Sequence, residues 1–241
     1  MSAPTLTVLI PAYNEAATME QILEKVEAVD LEKEILVVDD CSSDDTAAIV
    51  ERLFEGEEHR HLIRQPKNQG KGAALRTGVE KATGDIVIIQ DADMEYDPND
   101  YPALIQPILD GETEVVYGSR ILGNNEKSYH RYYMGGRLLT IITNSLYWAG
   151  ITDEPTCYKV FRRELIQSLA LDEDGFGFCP EVTAQVCRLG HRIVEKPIKY
   201  CPRSIEEGKK IRWQDGIEAI LILLKWRFKK LPEGGRRYEQ Q

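Results

Sequence analysis

Residues 86–95 read Ile-Val-Ile-Ile-Gln-Asp-Ala-Asp-Met-Glu, an apolar run that leads straight into carboxylates at positions 91, 93 and 95. In an extended chain alternate side chains share a face, which would aim Asp91, Asp93 and Glu95 the same way as the strand ends. Like charges gathered at one spot need a cation among them. A hard divalent ion with oxygen ligands, itself holding substrate phosphates, meets that need and is the usual way Mg2+ or Mn2+ is bound. A solvated acidic turn would carry the same letters, so the motif depends on its context.

That context is a frame able to hold the carboxylates still. Thr5 to Ile10, Glu34 to Asp39, His61 to Arg64, Ile86 to Gln90 and Glu114 to Gly118 read as strands. Between them, Thr18 to Val29, Asp44 to Phe54 (capped at Ser42 or Ser43), Gly72 to Ala82 and Tyr101 to Leu109 have helical spacing. Strands alternating with helices imply βαβ units and a mostly parallel sheet with helices on both faces. Ligands of such sheets sit beyond the carboxyl ends of the strands. Polar clusters follow three of these strands: Pro11-Ala12-Tyr13-Asn14-Glu15, Asp39-Asp40-Cys41-Ser42-Ser43 and Asp91-Ala92-Asp93. They should converge on one rim, where Tyr13 can stack on a nucleobase and Asp40 or Asp39 can accept its N–H groups.

Composition narrows the classes. A formal net charge of -10 over 241 residues argues against nucleic acid as a partner, because proteins that grip phosphate backbones carry a basic surplus. The cysteines (Cys41, Cys157, Cys179, Cys187, Cys201) include no C-x-x-C pair, which favours reduced thiols in a cytoplasmic protein. No charged-then-apolar leader precedes Pro11, and no apolar run approaches the ~20 residues that span a bilayer, so membrane contact is expected to be peripheral.

The ordered set Pro-Ala-Tyr-Asn-Glu, Val-Val-Asp-Asp-x-Ser-x-Asp-x-Thr, Asn68-x-Gly70-Lys71-Gly72-Ala73-Ala74, Gly84-Asp85 and Asp91-x-Asp93 resembles family 2 glycosyltransferases of the GT-A fold. Within them it is most similar to the branch of dolichyl-phosphate mannose and glucose synthases. Gly118-Ser119-Arg120, Thr156 to Arg162, Pro202-Arg203-Ser204 and Glu206 to Ile211 extend the match over nearly the whole chain.

The resemblance implies an α/β, Rossmann-like, mostly parallel sheet flanked by helices. It implies transfer of one hexose, with inversion, from a UDP- or GDP-linked sugar to a polyprenyl or dolichyl phosphate, with Mg2+ or Mn2+ as cofactor. Pro11, Ala12, Tyr13, Glu15 and Asp40 would hold the nucleoside, with Asp91 near the ribose. Asp93 would bind the metal, and Glu95 would be a second ligand. Lys71 either touches the donor or faces solvent; Gly72 follows it where a phosphate-loop ATPase has Ser or Thr.

A lipid phosphate is already a nucleophile and needs positioning and charge compensation, whereas an alcohol needs a base. Arg120 and Arg203, with Arg131, Lys209 and Lys210, are the expected phosphate contacts. Were the acceptor a hydroxyl, Glu181 or Asp153 would be the base. A nucleotide-sugar-binding module without turnover is a further alternative.

Residues 1–212 are expected to form the glycosyltransferase domain and 232–241 a disordered tail. Residues 213–231 are expected to form a C-terminal amphipathic helix, apolar at Ile217, Ile220, Leu221, Leu223, Leu224, Trp226 and Phe228, followed or interleaved by the cations Lys225, Arg227, Lys229, Lys230, Arg236 and Arg237. Such a helix suits a membrane interface as well as a protein core. The protein would then meet its lipid at the cytoplasmic face, as a peripheral protein, with a membrane-protein partner or as a homo-oligomer.

Overall fold

The computed structural model describes residues 5–125, 130–203 and 213–230, with the backbone alone at 130–132. Its strands are β1 (Leu6–Ala12), β2 (Lys33–Asp39), β3 (Arg60–Arg64), β4 (Ile86–Ile89), β5 (Val115–Ser119), β6 (Lys159–Arg162) and β7 (Ile193–Pro197). They form one seven-stranded sheet in the order β3-β2-β1-β4-β6-β5-β7. Only β6 runs antiparallel, to β4 on one side and β5 on the other. The expected α/β sheet is therefore present.

Every residue of β1, β4 and β5 is buried, as is β2 apart from Lys33. Helices cover both faces of such a sheet, which is why these strands read as unbroken apolar runs rather than alternating ones. The covering helices are α1 (Met19–Ala28), α2 (Thr46–Phe54), α3 (Lys71–Lys81), α4 (Tyr101–Leu109), α6 (Arg163–Ser168) and α7 (Phe178–Arg188). The expected Ser cap of α2 is not formed. Its N-cap is Asp45, and the Ser42 hydroxyl accepts the Asn14 amide instead, tying the β1 and β2 ends together.

The two remaining helices, α5 (His130–Tyr147) and α8 (Trp213–Phe228), pack on α7 and on each other. Leu139, Tyr147, Ala184, Ala219, Ile222, Leu223 and Trp226 form a second, smaller core there. Arg188 fastens the end of α8 by donating to the Trp226 carbonyl. Thus α8 buries one apolar flank while Ile217, Leu221, Leu224 and Phe228 stay exposed. The tail expected at 232–241 lies outside the described residues.

Candidate active site

Strand order reverses between β1 and β4: β2 and β3 lie on one side of β1, and all later strands on the other. Such a switch opens a crevice at the carboxyl ends of the strands. Here a proline helps to open it. Along β1, the even residues bond to β2 (Ala12 accepts from Asp40) and the odd ones to β4 (Leu9 accepts from Gln90). Pro11 has no N–H to offer β4, and that pairing stops at Leu9↔Ile89. Beyond it lies a cavity of about 1340 Å³ that runs from Pro11, Tyr13 and Asp40, past Asp91, Asp93 and Glu95, to Leu138, Trp213 and Ile217 on α5 and α8.

At the first end Tyr13 lines the cavity and is 39% exposed, and an aromatic ring there can stack against a planar ligand. Of the adjacent aspartates, Asp40 lines the cavity, whereas Asp39 accepts the Ser42 amide. The Asp40 carboxylate also receives the amides of Gln69 at 2.8 Å and Gly70 at 2.7 Å. Burial pushes its pKa up, and those amides oppose the rise. The next amides of α3, Gly72 and Ala73, donate to the carbonyls of Gly175 and Asp174. These α3 amides have protein acceptors, so the segment is not a phosphate loop.

The contact leaves no room at Gly72, where a Cβ would lie 2.2 Å from the Glu173 carbonyl oxygen. Gly72→Ala should therefore destabilise the protein by about 1–3 kcal/mol, the usual cost of overpacking, read as a lowered midpoint in denaturant unfolding. An unchanged midpoint would contradict this close packing.

In the middle of the cavity the acids arrive by a different route from the expected one. β4 ends at Ile89, and residues 91–95 follow in turns, with Met94 in the left-handed region at φ 64° and the Glu95 amide donating to Asp93. Strand alternation does not align them, yet Asp91, Asp93 and Glu95 all border the cavity. Lys71 sits on Asp91 at 2.5 Å. Burial acts to lower the lysine's pKa, but the Asp91 charge and hydrogen bond, together with the nearby Cys157 and Cys179, raise it on balance, and the ammonium is held protonated.

Asp93 is pushed up to about 7 by burial and then by the charges of Asp91 and Glu95, with Arg203 opposing. Glu95 is engaged on both oxygens, accepting from the Arg203 amide and the Tyr200 hydroxyl at 2.8 Å each. Arg203 bridges Asp93 (2.9 Å) and Glu15 (3.4 Å), and its buried Nε has no acceptor.

This donor set suits a divalent cation. The acid cluster carries more charge than its basic neighbours neutralise, and one guanidinium nitrogen beside it lacks an acceptor. Among the described residues no His, Cys, Asp or Glu side chains group closely enough to cage a metal unaided. A Mg2+ or Mn2+ would take its remaining ligands from water and a diphosphate, the mode that Mg2+ favours.

Farther along the cavity, Arg120 forms a bidentate pair with Asp153 at 2.7 Å for both contacts, and lies over the Tyr200 ring. Burial would raise the Asp153 pKa, but the guanidinium holds it below the ordinary carboxylate range. Asp153 is thereby spent as a partner for arginine. Glu181 is buried and turned away from the cavity, its carboxylate accepting the amides of Asp172 and Glu173. Neither is disposed as the general base expected for a hydroxyl acceptor. Lys209 and Lys210, and the Arg131 side chain, fall outside the described residues.

Two cavity residues escaped the sequence reading. Glu154 is fully buried, with one oxygen near the Thr183 hydroxyl and the other unpartnered. Arg137, on α5, donates to the Thr152 carbonyl. The Gly135-Gly136 pair before it, odd in the middle of a helix, was the available signal.

Residues 7–170 match the signature of glycosyl transferase family 2. The chain belongs to this family. It is 31% identical over 229 residues to the low-salt glycan biosynthesis hexosyltransferase Agl6 of Haloferax volcanii, covering 92% of this chain but only 54% of that protein. It is 28% identical to an undecaprenyl-phosphate mannosyltransferase of Micrococcus luteus, over 90% of this chain and 92% of the relative. The chain thus spans about half the length of the first relative and nearly all of the second. Among solved structures, glucosyl-3-phosphoglycerate synthase from Mycobacterium tuberculosis, in complex with Mn2+, UDP and glucosyl-3-phosphoglycerate, superposes with a TM-score of 0.72 at 24% identity. It covers 97% of this chain and 83% of that one. That likeness bears on the GT-A fold. Among the described residues no helix is long and apolar enough to cross a membrane.

Proposed function

We propose that this family member transfers one hexose from a UDP- or GDP-linked sugar to a polyprenyl phosphate, at a membrane surface. The observation that carries the reading is the single cavity joining an aromatic and acidic rim, a buried acid cluster and the apolar flank of two helices. The nucleoside would stack on Tyr13, between Pro11, Ala12, Glu15 and Asp40. Asp91, held in place by Lys71, would take the ribose. Asp93, with a remaining lone pair of Glu95, would hold Mg2+ or Mn2+, which supplies Lewis-acid stabilisation of the departing nucleoside diphosphate.

The acceptor phosphate brings its own nucleophilic oxygen, so one in-line displacement with inversion needs no base. The occupied state of Asp153 and Glu181 supports that choice over an alcohol. Detergent-solubilised polyprenyl phosphate should stimulate nucleotide release from one of a panel of UDP- and GDP-sugars with Mn2+. Equal release with a polyprenol, or with no lipid, would refute the reading.

The membrane-facing part follows from exposed apolar side chains on neighbouring helices. Met134, Leu138 and Ile141 project from α5; Trp213 (73% exposed), Leu221 and Phe228 (84%) project from α8. Such a face lies naturally in a lipid interface. Charge adds less than the sequence promised, because Lys225 and Lys229 are paired with Glu173 and Asp172. Leu221→Glu combined with Phe228→Glu is therefore expected to weaken vesicle binding by about tenfold or more, in neutral as in anionic vesicles. Flotation measures this, with nucleotide-induced stabilisation as the folding control. Undiminished flotation would place the membrane contact elsewhere.

A further inference from the structure

We infer that Arg137 is the anchor for the phosphate monoester of the acceptor. The inference rests on the glycosyl-transfer reading above and assigns its acceptor subsite. Among the described residues four cations border the cavity, and three of them face carboxylates: Lys71 faces Asp91, Arg120 faces Asp153, and Arg203 faces Asp93 and Glu15. Arg137 has no carboxylate partner among the described residues. Its one hydrogen bond there runs from Nη1 to the Thr152 carbonyl, at 3.1 Å.

None of the acids beside Thr152, in sequence or by hydrogen bond, pairs with Arg137. Asp153 faces Arg120, Glu154 turns toward Thr183, and Glu195 accepts the amides of Thr152 and Asp153. A half-buried guanidinium with unfilled donors, in a protein of net charge -10, is an anion site. Its planar fork suits a phosphate oxygen pair.

Placement decides which anion. Arg137 stands in the first half of α5, directly before the exposed Leu138, where the cavity meets the apolar flank shared with α8. The Thr152 carbonyl braces the side chain there. Gly135 also lines the cavity, and a Cβ built on it would meet nothing within 4 Å, so the wall beside the guanidinium is open. The donor diphosphate belongs with the acid cluster. A second phosphate, carried on a molecule reaching the cavity from the helix flank, is the anion left for Arg137. A lipid phosphate and a small soluble phosphomonoester share this chemistry, and α5 and α8 favour the lipid.

Thermal stabilisation and steady-state transfer should be measured for the wild type, Arg137→Ala and Arg137→Lys. The probes are polyprenyl phosphate and polyprenol in detergent, phosphoglyceric acid in buffer, and a nucleoside diphosphate with Mn2+. Arg137→Ala should raise the KM for the phosphate acceptor by roughly tenfold to a hundredfold, the range for lost charge-assisted hydrogen bonds, while nucleoside diphosphate affinity stays put. Arg137→Lys should recover part of the loss, because charge is restored without the fork. Polyprenol should bind all three proteins alike.

Stabilisation by phosphoglyceric acid that depends on Arg137, with none by polyprenyl phosphate, would keep the anchor and change the acceptor to a soluble one. Acceptor KM unaffected by Arg137→Ala would overturn the inference, as would nucleoside diphosphate affinity falling in step with it. If phosphate binding depends on Arg137 but no sugar is transferred, the proposed function fails and the anchor stands. If transfer proceeds with a KM indifferent to Arg137, the reverse holds.

Discussion

Asp93→Asn should abolish Mn2+-dependent nucleotide binding and lower transfer by about 10²–10³-fold, yet leave the unliganded protein more stable at alkaline pH. The stability gain follows from the carboxyl's titration. Asp93 is raised from an ordinary 3.8 to about 7 by burial and by its acidic neighbours. The folded protein therefore holds this proton more tightly than the unfolded chain does. Its favourable contribution is complete below 3.8 and is lost as pH rises to about 7. Asparagine hydrogen-bonds without ionising and escapes that loss. The advantage of the variant should grow between about pH 4 and about pH 7 and level off above that, in thermal unfolding without nucleotide. A variant less stable than wild type throughout that window would mean that Asp93 is not held in a repulsive cluster. Retained metal-dependent binding would remove it as the ligand.

Arg203→Ala has the second large effect, and the structure changes its expected form. From sequence the arginine belongs to the acceptor alone. In the fold its guanidinium sits on Asp93 and Glu15, and its own amide holds Glu95. With Lys71 on Asp91, it is one of two cations set against the acid cluster, and the one that faces Asp93. Its loss should destabilise the unliganded protein by on the order of 2 kcal/mol, allowing for partial solvent screening of the pair. Mn2+ should restore much of that, since an ion that binds only the native state raises stability in proportion to its affinity. Metal affinity itself should rise, because a competitor for Asp93 is gone. Titrating Mn2+ against the unfolding midpoint of both proteins checks all three statements. An Arg203→Ala protein equally weakened with and without Mn2+ would show that the arginine only packs.

The end of the cavity at Tyr13, Asp40 and Asp91 was legible in the sequence because its determinants are local. Strands buried on both faces leave continuous apolar runs, and each βα turn carries its polar residues immediately after the run. Even there, the mechanism differed: turns with a left-handed Met94, rather than strand alternation, bring Asp91, Asp93 and Glu95 together. The arginine pairs of the cavity were hidden because their geometry depends on distant pairings. Arg120 and Asp153 are 33 residues apart, and Arg203 and Asp93 are 110 apart. The insertion of β6 antiparallel between β4 and β5 was not read at all, because Lys-Val-Phe-Arg is four residues long with a charge at each end and leaves no strand pattern. Arg137 was passed over for a related reason. Its significance lies in lacking a partner, which only the positions of the surrounding carboxylates reveal.

The smaller core has a further implication. Helix α7 belongs to both hydrophobic clusters, giving Phe178, Val182 and Val186 to the sheet and Ala184 to the α5–α8 pair. It works as a party wall between two rooms with separate foundations. Opening of α8 would uncover only the lesser room, so its amides should exchange with solvent well before those of β1. A lineage could accordingly refit the lesser room while the one built on the sheet kept its walls.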